Sequence, residues 1–89
     1  MDTPTKSPQI PRLIKLPGHF VVKVNQIIPT KMKEKHGQYY DGIWDVDTMT
    51  VDLNKRLGHE RKWWVFSHEY SHVVSDWIHW LVNEGVAKG

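Results

Sequence analysis

His68, Glu69 and His72 sit in the run "SHEYSH", two imidazoles four residues apart with a carboxylate directly after the first. On a helix, side chains at i and i+4 stand about one turn apart on the same face. Two imidazole nitrogens so placed can both reach one tetrahedral zinc at ~2.0–2.1 Å. Glu69 is rotated from His68 by about a quarter turn, so it can hold a water without capping the metal. Zinc lowers the pKa of such a water toward ~7, and the carboxylate takes its proton. The hydroxide then attacks a polarised peptide carbonyl, which is the chemistry that H-E-x-x-H performs on a helix. The competing account is a solvated polar face in a chain with six His. Chance alone gives roughly 0.02 matches to this pattern in a chain of this length and composition, which favours the metal reading.

A helix must carry the trio. The stretch from about His59 to about Val82 holds no Pro and no Gly, and Gly85 lies just beyond as a stop signal. With His68 at zero and ~100° per residue, Trp63, Phe66, Tyr70, Val73, Val74, Trp77, Ile78 and Leu81 fall between roughly 140° and 280°. That arc is the expected core-facing side. His68, His79, His72, Asp76 and Glu69 share the next ~100°, away from that core. Zinc needs a third protein ligand. Asp76, one turn beyond His72, is the first candidate, either on the metal or orienting a ligand imidazole from behind. His79 is aligned in angle but ~16 Å from His68 along the axis. Glu84 lies past the expected helix end, and a second chain could also donate. His19, His36 and His59 read as surface or capping residues.

The elements before the helix must frame it. "HFVVKVNQII" (His19–Ile28) alternates Phe20, Val22 and Val24 against Val21 and Lys23, the pattern of a strand that Pro29 ends. Thr30–Gln38 is charged and closed by Gly37, so a loop or one weak helical turn is expected. Tyr39–Leu53 reads as a hairpin, with Asp45, Asp47 and Thr48 supplying turn chemistry. In its second arm Met49, Val51 and Leu53 alternate with Thr48, Thr50 and Asp52, a strand buried on one face. Residues 1–12, rich in Pro, Thr and Ser, read as a flexible tail. The expected fold is α+β: one domain over 13–89, with a small antiparallel sheet of about three strands packed on one long C-terminal helix.

Eighty-nine residues lie near the low end for one hydrophobic core. There is no cysteine, hence no disulfide and no thiolate ligand, and a metal or a second subunit would help such a fold. Five Trp, three Tyr and two Phe supply the apolar area. A helix this aromatic over so few strands would leave a patch exposed, which suggests a homodimer through that face. A net charge of +2 is mildly basic, and nucleic acid is not an expected partner. No run of ~18 apolar residues spans a membrane and the N-terminus lacks a signal-type apolar segment, so a cytoplasmic location is expected.

The strand pair "GIWDVDTMTVDL", a short connector and a helix with "WWVFSHEYSH" together resemble the zincin metallopeptidases. The likeness covers about residues 20–82 and is greatest to the very short stand-alone metallopeptidases of phage and bacterial genomes. The resemblance implies zinc on His68 and His72, Glu69 as general base, and a peptide or protein as substrate. It also implies that Met49–Leu53 is the edge strand over the cleft, pairing with an extended peptide, with Thr50 and Asp52 nearby. Tyr40 or Tyr70 would assist the oxyanion. The segment "HVVSDWIH" lacks the Gly and third His of metzincins, and no second helix follows to give the Glu of gluzincins. The third ligand therefore stays open among Asp76, His79, Glu84 and another chain. A protease also needs walls that grip substrate, so a metal-stabilised, catalytically silent interaction module is the alternative function.

Overall fold

A computed structural model describes residues 9–85. The elements run β1 (Leu13–Leu16), β2 (Phe20–Ile27), α1 (Pro29–His36), β3 (Gly42–Asp45), β4 (Thr50–Asn54) and α2 (His59–Trp80), with a π-helical turn at Leu81–Gly85. The fold is α+β, as expected, but the sheet has four strands in the order β1-β2-β4-β3 and is mixed. β1 and β2 pair antiparallel, as do β3 and β4, while β2 and β4 run parallel. The parallel pair exists because β3 starts level with the end of β2 and runs back across the sheet, so that β4 returns in the direction of β2.

Local chemistry explains the boundaries. Pro29 cannot donate to a sheet ladder but suits a first helical turn, so β2 ends and α1 begins there. Gly37 closes α1 in the left-handed conformation (φ 83°), with its N–H on Lys33 O at 2.8 Å. Lys33, Lys35 and His36 in the last turn favour the negative end of the helix dipole. Gly18 and His19 both take positive φ in the β1–β2 turn, so His19 belongs to the turn and not to the strand. Met49, at φ 55°, likewise ends the β3–β4 turn instead of opening β4. In that turn Asp45 Oδ1 accepts the Asp47 N–H at 3.0 Å.

The core lies between one sheet face and α2. Phe20, Val22 and Val24 from β2 and Val51 and Leu53 from β4 meet Val65, Phe66 and Val73 of α2. Each such side chain contributes about 1.5–3 kcal/mol when fully buried. Ile14 and Ile10 extend this cluster, and Arg12 O accepts the Val24 N–H at 2.8 Å. Residues 9–12, expected in the tail, are thus tied to the sheet where they are described; residues 1–8 lie outside the described residues. β4 is buried on both faces, not one, because α1 covers the reverse face with Met32. β4 is also an inner strand. The edge beside α2 is β3, which corrects the expectation that Met49–Leu53 is the edge.

Candidate metal centre

α2 presents His68 and His72 one turn apart, and their Nε2 atoms approach to 3.3 Å. The ring centroids are 4.9 Å apart and the planes cross at 84°. Two ligands on one tetrahedral zinc at ~2.0–2.1 Å are separated by about 3.3–3.4 Å. The spacing of the pair therefore equals that of two ligands on one such ion. The contact is equally that of one ring N–H donating to the other ring.

The His68 ring is stacked on Trp64 at 5.7 Å, nearly parallel at 3°, and Arg61 lies over that indole at 4.8 Å from the ring centroid. Arg61 also pairs with Asp41, just before β3, at 3.0 Å. The ladder from Arg61 through Trp64 and His68 to His72 climbs one helix face by steps of three and four, which places successive side chains against each other. It orients the first imidazole from below. Both histidines are exposed.

The helix is rotated about a quarter turn from expectation. Val65, Phe66 and Val73 are its buried residues, while Tyr70 and Ile78, expected in the core, are exposed. The sheet-facing line passes close to Glu69 and Asp76, so the polar arc borders the core instead of opposing it. Two contacts with β3 account for this. A Cβ built on Gly42 would meet Glu69 Cγ at 3.3 Å and Val65 Cγ1 at 2.5 Å, so glycine lets the helix lie against the edge strand. Trp44 Nε1 donates to Asp76 Oδ2 at 2.6 Å, a charge-assisted bond that an apolar helix side could not accept. Gly42 and Trp44 are roles that the sequence reading missed. The isolated Gly in a strand pattern was the available signal for Gly42.

Asp76 is thus engaged with β3, and among the described residues no three His, Cys, Asp or Glu side chains form a metal-holding group. His79 is exposed near the helix end and Glu84 lies in the π-helical turn. Tyr70 stacks on Phe66 at 6.0 Å, on the side away from the histidines. The Tyr40 hydroxyl accepts from Gln38 Nε2.

A second polar cluster lies on the reverse face of the sheet. Asp52 is 1% exposed. Its Oδ1 accepts from Asn25 Nδ2 at 3.0 Å, and its Oδ2 from His36 Nε2 and Lys35 Nζ, each at 2.8 Å. Burial pushes the Asp52 carboxyl up, but the hydrogen bonds from Lys35, Asn25 and His36 and the Lys35 charge outweigh it and hold it below the usual carboxylate range. Asp52 therefore latches α1 to the sheet and lies across it from the histidines, which removes it from the peptide-facing role expected of it. His36, read as a surface residue, is its buried partner.

The chain matches no protein-family model, no curated protein sequence and no solved structure. Among the described residues no helix is long and apolar enough to cross a membrane.

Proposed function

We propose that the chain is a minimal zinc peptidase, with His68 and His72 as zinc ligands and Glu69 as general base. The 3.3 Å approach of the two Nε2 atoms carries this reading, because it equals the spacing that one tetrahedral ion requires. Zinc, when bound, supplies Lewis acidity to a water and to the peptide carbonyl. Glu69 receives the proton of the attacking water and passes it to the leaving amine. β3 is the outer strand beside Glu69, and an extended peptide is held along its unpaired edge by main-chain hydrogen bonds. Asp76 is the third ligand of this reading. Its Oδ2 is taken by Trp44, so ligation uses Oδ1 or releases the indole.

The exposure of both imidazoles favours a second reading, a metal-stabilised interaction module without catalysis. One experiment separates them. Zinc content after dialysis is measured beside cleavage of unfolded casein, for the wild type, Glu69→Gln and His72→Ala. The peptidase reading expects one zinc per chain, cleavage abolished by a chelator, and a Glu69→Gln variant that keeps zinc but loses cleavage. Zinc bound without cleavage selects the silent module. No zinc in the wild type overturns both.

A further inference from the structure

The mild net charge conceals a division of charge across the sheet. From Gln9 to Lys33 the chain carries Arg12, Lys15, Lys23, Lys31 and Lys33 and no Asp or Glu. From Gly37 to Asn54 it carries Asp41, Asp45, Asp47 and Asp52 and no Lys or Arg. The strand order β1-β2-β4-β3 therefore sets a cationic edge at β1 against an anionic edge at β3. On the cationic side a groove of about 640 Å³ lies among residues 9–13, Lys23–Ile27 and Lys55, with no carboxylate in its lining. Arg12, Lys23 and Lys55 line it and are exposed. Among the described residues they meet no carboxylate, since the ion pairs are those of Asp52 and Asp41 with Lys35, His36 and Arg61. A fourth cation, Lys62, is held beside them by neutral acceptors, Gln26 Oε1 at 2.8 Å and Lys55 O at 3.1 Å. The backbone is open here too. β2 has eight residues and β1 four, so β1 pairs with β2 only from Phe20 to Lys23. The Val24 N–H still reaches Arg12 O at 2.8 Å, and among the described residues the ladder stops there. Main-chain groups alternate sides along a strand. Val24 turns its own toward β1, while Ile27 O takes the Lys55 N–H on the β4 side. Gln26 therefore turns its N–H and C=O toward the groove.

We propose that this groove takes an extended acidic peptide segment, added beside Val24–Ile27 as a short strand. Charge complementarity chooses the acidic character, because cations that lack carboxylates of their own are matched by a partner that brings them. The open half of β2 chooses the extended backbone, because an unpaired strand edge gives a peptide main-chain hydrogen bonds. Four residues of added strand span about 13 Å. Lys23 and Asn25 share one face of β2, and Val24 and Gln26 share the other, so acids at every second position of the peptide would fall on the Lys23 side. A single-stranded nucleic acid would meet the same cations but no aromatic side chain lining the groove on which its bases could stack. The groove belongs to the β1 side of the sheet and the β3 edge to the other, so this site stands independently of the zinc reading.

Fluorescence anisotropy tests the site, with a labelled peptide of about eight residues, alternating glutamate and threonine, titrated with the full chain. Saturable binding with a Kd below about 200 µM is expected at about 50 mM salt, weakened at least about 10-fold at about 500 mM. The counterpart that alternates lysine and threonine should not bind. Arg12→Glu and Lys23→Glu, both at exposed positions, are expected to weaken binding at least about 10-fold while circular dichroism stays unchanged. Lys33→Glu makes the same change of net charge on α1, where Lys33 lies over the Tyr39 ring at 5.4 Å, and should shift binding by less than about 2-fold. Amide hydrogen exchange reads the mode of binding: the Gln26 N–H should gain at least about 10-fold protection when the peptide is bound. No binding at 200 µM, an equal loss in Lys33→Glu, or a Gln26 amide left unprotected in the complex would each overturn the proposal. So would an oligothymidylate of about 12 nucleotides that binds more tightly than the acidic peptide.

Discussion

Asp52→Asn tests the latch that holds α1 to the sheet. The substitution keeps the shape of the side chain and removes its charge. His36 is 7% exposed on its side chain, and its hydrogen bond to a charged acceptor is worth about 1.5–3 kcal/mol. Lys35 is 44% exposed, so solvent screens its pairing to about 0–1 kcal/mol. The new amide also sets an N–H₂ group against donors on one side or the other. The expected loss is about 3 kcal/mol, a large share of the roughly 4–13 kcal/mol that a chain of this size commands. Urea unfolding followed by tryptophan fluorescence reads it. With m near 1 kcal/mol/M, the midpoint should fall by about 3 M at pH ~6 with m unchanged. The sign of the pH dependence follows from the lowered carboxyl. A depressed native pKa stabilises fully above the unfolded value, 3.8, and that contribution is lost as pH falls through the native value. The gap between wild type and variant should therefore close on acidification below about pH 4. Midpoints within about 0.5 M at pH 6, or a gap that persists undiminished at pH 2, would refute the assignment of Asp52 as a charged anchor.

Four further substitutions probe the packing of the two helices on the sheet. Gly42→Ala forces a methyl to 2.5 Å from Val65 Cγ1 and should cost about 1–3 kcal/mol, measured by thermal melting; a neutral result would mean that β3 and α2 are not in contact there. Trp44→Phe removes the 2.6 Å donor to Asp76 and should cost about 1.5–3 kcal/mol in urea, and Asp76→Asn should cost less when made in the Trp44→Phe background than in the wild type. Met32→Ala empties the fully buried position under α1 and should cost about 2–4 kcal/mol, with hydrogen exchange speeding in α1 before α2.

Much of the fold could be read from period and punctuation. The alternation of Phe20, Val22 and Val24 marks β2, and the absence of Pro and Gly marks α2. β1 and α1 were harder. β1 is four residues beside a tail-like composition, and α1 buries only Met32, so neither carries a periodic apolar signal. The parallel β2–β4 pair follows from β3 running back from the end of β2 before β4 forms, a placement between strands that alternation within a hairpin does not reveal. Buried Asp52 stayed hidden for the same reason: alternation shows which side chains share a face, and not that a second layer covers it. Within the site, the His68–Glu69–His72 spacing was explicit. The rotation of the helix was not, because apolar residues surround most of α2. Only contacts with Gly42 and Trp44 choose which of its sides meets the sheet.

The parallel register between β2 and β4 also bears on how fast the chain can reach its native state. Asn25 and Asp52, adjacent in the sheet, are 27 positions apart, and the intervening chain must form both a helix and a hairpin strand before they meet. Loop-closure entropy is spent there before the central contacts return it, so refolding should be governed by this step. The β3–β4 hairpin and α2, whose contacts are local, should gain protection earlier than β2 in a pulse-labelling experiment.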